Sequence, residues 1–285
     1  MKPKPFDSLP RGDQALLWQP RHLEGISLFK ARFSRFAYKP HCHSEYAIGV
    51  IEQGVQKFHH SGQTFTAPAN TIISVNPGET HDGMSDTSGG YQYRMMYISL
   101  EKIREILSCH GELKYRPGYF NAPVASDPEA ARLLHRALVL LDGDGPGCLE
   151  GHACLARALT RLFRRHAGYK RRDAAGFLKS DAAVRRAIEF IRENATENIS
   201  LEDISAAAEL SPYHFLRIFR KTTGLPPHAY LVQIRVERAK SAIEKGCALI
   251  DAAQTAGFSD QSHMTRCFKS IYGLPPGKYK KMVFS

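Results

Sequence analysis

No run of about 18 apolar residues occurs in the 285-residue chain, so no segment has the length a membrane-spanning helix needs. The opening stretch MKPKPFDSLPRGDQ lacks the apolar core of a secretory signal. The expectation is a cytoplasmic protein with no membrane partner. The six cysteines, at 42, 109, 148, 154, 247 and 267, form no CxxC pair and no zinc-ligand spacing. That absence argues against a disulfide framework and predicts reduced, buried thiols. Acid is missing from residues 157–172, which hold seven Lys or Arg. Residues 1–156 carry 16 basic and 16 acidic side chains, and residues 173–285 carry 16 and 12. The whole excess of the +11 net charge therefore lies in the back half, where it suits a polyanion.

Two kinds of text follow one another along the chain. From about residue 25 to 100, β-branched and aromatic residues are broken by turn signals at Gly54, Ser61-Gly62, Pro68-Ala69-Asn70 and Pro77-Gly78. Short antiparallel strands at that spacing predict a small barrel or sandwich. Then the period changes: EKIREIL (101–107), DPEAARLLHRALVLL (127–141) and LEGHACLARALTRLFRRHA (149–167) place apolar residues three and four apart. Asp127-Pro128 is a helix start. Residues 168–180 lack a period and read as a linker, and the rest reads as helical.

The back half contains the same short passage twice, 49 residues apart: SPYHFLRIFRKTTGLPP at 211–227 and DQSHMTRCFKSIYGLPP at 260–276. On a helical wheel Phe215, Ile218, Phe219 and Thr222 share one side, as do Met264, Cys267, Phe268 and Ile271. Tyr213, Arg217 and Arg220 point the other way, like Ser262, Arg266 and Lys269. Ser211 and Asp260 are candidate caps, and Gly224 and Gly273 are left-handed stops. A shorter apolar-faced helix precedes each: LEDISAAAEL and LIDAAQTAGF, in which Ala207-Ala208 align with Ala256-Gly257. Helix, tight turn and basic second helix make a helix-turn-helix plan. The connector at 228–246 spans ~27 Å if helical, near the ~34 Å between successive major grooves on one face of B-DNA. Arg235 and Arg238 lie near its apolar side and read as structural, paired with acids such as Glu202 or Asp251.

With ISLEDISAAAELSPYHFLRIFRKTTGLPPHAYL, RVERAK and AAQTAGFSDQSHMTRCFKSIYGLPPGKY in this order, residues 181–282 resemble the DNA-binding domain of the AraC/XylS family of bacterial transcription regulators. The resemblance implies an α+β protein of two domains. Residues 1–167 would form an antiparallel cupin-like β-barrel with helices of its own, for effector binding and dimerisation. Residues 168–180 would link it to an all-α domain, 181–285, with helix-turn-helix units at 201–223 and 249–272. It places Tyr213, His214, Leu216 and Arg217 in one major groove, and Gln261, Ser262, His263, Thr265 and Arg266 in the next. Arg217 and Arg266 have the reach for bidentate bonds to guanine, and Arg220, Lys221 and Lys269 suit phosphates.

The front half offers His41-x-His43 with His81 and Glu45, a spacing similar to the cupin motifs and open to a metal. The family resemblance points instead to a small-molecule sensor with no metal or other cofactor, lined by His41, Glu45, Tyr46, His81, Tyr93 and Arg94. The leucines of 127–166 (133, 134, 138, 141, 155, 159 and 162) offer either a dimer surface or packing within the subunit. The function expected is a non-enzymatic, effector-controlled transcription activator that binds double-stranded DNA as a homodimer and contacts RNA polymerase. The alternative is a metal-dependent cupin enzyme with a DNA-binding tail.

Overall fold

The strands of the front half are built on one long element that changes partners midway. The computed structural model describes residues 12–20, 23–108, 118–142, 148–168 and 178–284. Contacts divide these into two units, one of residues 12–37 and 43–168, the other of 38–42 and 178–284. Most of the sequence-predicted linker, 169–177, lies outside the described residues.

In the first unit the strands are β1 (Gln14–Trp18) and β2 (Ile26–Phe33); β3 (Tyr38–His41) groups with the second unit. Then come β4 (Tyr46–His60), β5 (Gln63–Pro68), β6 (Ile72–Val75), β7 (His81–Ser85) and β8 (Tyr91–Ile98). The helices α1 (Leu100–Ser108), α2 (Pro128–Leu140) and α3 (Cys148–His166) follow, with two-residue strands β9 (Tyr119–Phe120), β10 (Val124–Ala125) and β11 (Ala167–Gly168) between and after them. The sheet order is β1-β2-β8-β4-β6-β10, antiparallel at every pair. The first half of β4 pairs with β8 and β6, and its second half pairs with β5 and β7. Gly54 is therefore not the turn that the sequence suggests. It sits inside β4 at φ +72°, just past a register shift between Ile51 and Gln53, where a Cβ would fall 2.1 Å from the Gly90 carbonyl oxygen. Ser61 and Gly62 do form a turn, both at positive φ, which is the tight hairpin geometry joining β4 to β5.

One sheet face carries Leu28, Ile48, Val50, Met96 and Ile98 and packs on α1, α2 and α3 through Ile103, Leu134, Leu138, Leu155, Leu159 and Phe163. Leu134, Leu138, Leu141, Leu155, Leu159 and Leu162 are all buried in this core and Leu133 packs against it, so the leucine stripe serves the subunit's own packing. Asp127 starts α2: its carboxylate accepts from the Ala130 amide at 3.1 Å and from Arg161 Nε of α3 at 2.9 Å. The opposite sheet face is aromatic, with Phe29, Phe33, Tyr91 and Tyr93 in ring contact at 5.3–6.4 Å.

The second unit comprises α4 (Leu178–Glu193), α5 (Leu201–Ala207), α6 (Pro212–Thr223), α7 (Pro227–Glu244), α8 (Leu249–Thr255), α9 (Gln261–Tyr272) and α10 (Pro276–Val283). Val184, Ala187, Ile191, Ile204, Phe215, Phe219 and Leu231 form the core shared by α4 to α7. Phe268 stacks obliquely on Tyr279 at 5.6 Å where α9 meets α10. Arg235 and Arg238 are structural as expected, but their partners are carbonyls and not acids. Arg235 donates to Ala195 O at 2.7 Å and Glu197 O at 2.8 Å, and Arg238 donates to Arg192 O.

Candidate nucleic-acid interface and effector pockets

Each helix pair is locked before it can present anything. Ser200 and Asp203 cap α5 reciprocally, with Ser200 N–H donating to Asp203 Oδ2 at 2.8 Å and Asp203 N–H to Ser200 Oγ at 3.1 Å. At its end the amides of Glu209 and Leu210 return to the carbonyls of Ala206 and Ser205. At the end of α8 Gly257 and Phe258 do the same to Gln254 and Ala253. The positive φ falls on Glu209 (56°) and Gly257 (85°). The turns thus align Ala208 with Ala256, one place away from the sequence alignment, and the second turn is a residue longer. Ala208 and Ala256 are both fully buried where the helices cross. Asp260 caps α9 through its bond from the His263 amide at 2.7 Å, whereas Ser211 makes no side-chain cap and α6 begins on Pro212. Gly224 and Gly273 close the two helices in the left-handed region.

Phe215 and Phe219 of α6, and Met264 and Phe268 of α9, are fully buried. Thr222 departs from the wheel: it is exposed, and Thr223 turns inward to bond Phe219 O at 2.8 Å. The outward sides carry the side chains that the sequence marks for DNA. On α6 these are Tyr213, 84 % exposed, with His214, Leu216, Arg217, Arg220 and Lys221, all exposed. On α9, Gln261, Ser262, Arg266 and Lys269 are exposed, and His263 and Thr265 are half-buried. His263 packs edge-on against Phe258 at 5.3 Å, which ties it to the turn. Neither helix contains an acid. Among the described residues Arg217, Arg220, Lys221, Arg266 and Lys269 enter no ion pair, in contrast to Arg161, Arg186 and Lys240. Two acid-free helix faces with uncommitted cations and an exposed tyrosine are suited to a polyanion with readable edges.

The sequence-predicted effector residues do not share one cavity. His41 is buried and belongs with the second unit's segment. His43 and His81 meet edge to face at 4.9 Å, and His81 Nδ1 lies 3.1 Å from Glu79 O. Burial pushes the His43 imidazole down to about 4. Glu45 is half-buried. Tyr93 lies on the aromatic sheet face. Tyr46 lies in the helix-facing core, its hydroxyl donating to Gly118 O at 3.2 Å. Arg94 follows Tyr93 in an extended strand and so points to the opposite side, toward the helices. There it binds Glu52 Oε1 at 2.6 Å and Asp142 Oδ2 at 2.9 Å, and Asp142 also takes the buried Lys30 at 2.7 Å. Burial raises the Glu52 carboxyl, but bonds from His135 and Gln92 and the Arg94 charge outweigh it and hold the group at about 2. Sequence reasoning missed Glu52, Gln92, Lys30 and Asp142; for Gln92 and Lys30 the alternation with Tyr91, Tyr93 and Phe29 was the available signal. Of these groups Glu52, Gln92, Arg94 and His135 line a 790 Å³ cavity between the sheet and α2.

Two family models match the chain: an AraC-like ligand binding domain over residues 25–160 and a helix-turn-helix domain over 204–282. The sequence is 31 % identical over 250 residues to the uncharacterized HTH-type transcriptional regulator YbfI of Bacillus subtilis, covering 85 % of this chain and 86 % of that protein. It is 22 % identical to the HTH-type transcriptional activator RhaS of an Enterobacter strain, over 88 % and 90 % of the two chains. In fold it is similar to ToxT of Vibrio cholerae, with a TM-score of 0.55 at 15 % identity over 92 % of this chain and 100 % of that one.

Proposed function

The chain belongs to the AraC family of DNA-binding transcription regulators, and from that premise we propose that it activates transcription under the control of a small-molecule effector bound by its first unit. Operator reading is assigned to α6 and α9. Tyr213, His214, Leu216 and Arg217 meet one major groove, and Gln261, Ser262, His263, Thr265 and Arg266 meet the next. Arg220, Lys221 and Lys269 hold phosphates. The observation that carries the reading is the pair of acid-free outward faces, in which Arg217 and Arg266 occupy equivalent places and enter no ion pair among the described residues. The protein acts in the cytoplasm on chromosomal DNA, as a homodimer that contacts RNA polymerase. Among the described residues no helix is long and apolar enough to cross a membrane. The relatives are named as regulators, which lends no support to the metal-dependent enzyme weighed from the histidines.

The test is selection of binding sites from random duplexes with the full chain. The reading requires an enriched asymmetric sequence spanning two successive major grooves, bound more tightly than random DNA. It also requires a metabolite that changes transcription from a promoter carrying that sequence. Equal affinity for selected and random DNA overturns it.

A further inference from the structure

We infer that the cavity between the helix-facing side of the sheet and α2 is a binding site for a small organic monocarboxylate; this rests on the reading of the first unit as an effector domain. The cavity encloses 790 Å³, the size of a small-ligand site. Its floor is a fixed polar network. Glu52 takes Arg94 Nε at 2.6 Å, His135 Nε2 at 3.0 Å and Gln92 Nε2 at 2.6 Å. Gln92 is oriented in turn by Arg32 Nη2 at 2.8 Å. Removing charges from water to build such a network yields little net stability compared with apolar packing. It does give a rigid, oriented set of donors, which is what a binding site needs.

The network uses both oxygens of its cavity-lining acid, Glu52, but not all the donors of its cations. Both oxygens of Glu52 are engaged, and Asp142 Oδ2 is shared by Lys30 and Arg94. Arg94 spends Nε on Glu52 and Nη1 on Asp142, while its Nη2 has no acceptor among the described residues although Arg94 lines the cavity. Arg132, from the exposed side of α2, lines the same cavity and enters no hydrogen bond or ion pair among the described residues. With Lys30 and Asp142 cancelling, the walls hold two guanidinium groups against one carboxylate, an excess of one positive charge. One carboxylate on the ligand neutralises it and accepts from both arginines, the fork geometry that guanidinium serves best. Val50, Ile51, Pro128 and Ala131 supply an apolar wall for the remainder of the molecule. Asn70 and His135 stand at the exposed side, where a hydroxyl on the ligand would find partners. Tyr91 and Tyr93 are not among the residues that line this cavity, because strand alternation turns both rings away from it.

The experiment titrates the full chain at low salt with acetate, propionate, lactate, benzoate and 4-hydroxybenzoate, and with the corresponding amides. Heat of binding and thermal midpoint are both read. At least one carboxylate is expected to saturate the protein and raise its midpoint, and its amide is not. Arg132→Gln should weaken that carboxylate about tenfold or more, the loss of a charged hydrogen bond. Arg136→Gln, on the same helix but paired with Glu150 outside the cavity, should bind as the parent does. Arg94→Gln is a less clean test, because it also breaks the buried network. Failure of every carboxylate to saturate, or undiminished binding by Arg132→Gln, overturns the site. Arg132-dependent binding that leaves operator affinity and transcription unchanged keeps the site and removes the effector reading. A response confined to an uncharged metabolite that binds Arg132→Gln equally well keeps the effector reading and removes this site.

Discussion

Arg217 and Arg235 lie in the same domain and carry the same charge, yet their loss should be felt in different assays. Arg235 donates to Ala195 O at 2.7 Å and Glu197 O at 2.8 Å, pinning α7 to the chain that follows α4. Charged hydrogen bonds are worth ~1.5–3 kcal/mol each, and the Glu197 bond is exposed, so Arg235→Ala should cost about 2–3 kcal/mol of folding stability. Arg217 is exposed on α6 and enters no hydrogen bond or ion pair among the described residues. Arg217→Ala should leave the folding stability within about 0.5 kcal/mol, as surface changes do. If Arg217 reads a guanine, its loss costs about 1–3 kcal/mol at the selected operator and relaxes preference at one base pair. Urea unfolding of both variants, with fluorescence anisotropy on operator and random duplexes, separates the outcomes. Equal weakening of Arg217→Ala on both duplexes would make it a phosphate contact. Destabilisation of Arg217→Ala matching that of Arg235→Ala would refute the assignment of α6's outward face.

Other consequences follow from the same geometry. Lys221→Ala should lower the dependence of log affinity on log salt by about one, measured by titration at several ionic strengths, with base preference intact. Glu209→Gly should stabilise the second unit by about 0.5–1 kcal/mol, because relief of a left-handed side chain outweighs its exposed pair with Arg186. Gly257→Ala should destabilise by about 2–4 kcal/mol in the same denaturant assay, since it adds a Cβ 2.7 Å from Ala195 O to the left-handed strain. Burial favours protonation of Asp127, but its bonds from the Ala130 amide, Arg161 and His166 prevail and hold it at about 2, below the ordinary 3.8. A depressed carboxyl stabilises the fold above its unfolded value. The first unit should therefore lose stability as pH falls from about 4 toward about 2, and Asp127→Asn should flatten that loss in pH-dependent unfolding.

The second unit was legible because its information is local and periodic. Phe215 and Phe219, Met264 and Phe268, and the two glycine stops sit at helical spacing, and each proved to be where the wheel puts it. The misses lie at helix ends, where a single residue decides. Thr223 and not Thr222 turns inward because its hydroxyl can bond Phe219 O and close the last turn. The turn alignment slipped by one because a left-handed glutamate, Glu209, does the work of Gly257, and no residue code announces that. Arg235 found carbonyls and not acids because α4 ends beneath α7, a tertiary fact.

In the first unit the same kind of reading reached the strands but not their sides. Side chains on both faces of the sheet are buried, against helices on one face and as the Phe29, Phe33, Tyr91 and Tyr93 cluster on the other, so polar and apolar no longer mark outside and inside. Strand parity still does. Tyr91, Tyr93 and Phe29 share one face, and Gln92, Arg94 and Lys30 share the other, in register across β2 and β8. Grouping Tyr93 with Arg94 as partners in one pocket breaks that parity, because consecutive side chains of a strand leave on opposite sides. A ligand of metabolite size therefore meets either the aromatic side or the charged side, and not both. If the effector is apolar, substitutions at Tyr93 should change the response while those at Arg132 do not, and for a carboxylate the order reverses.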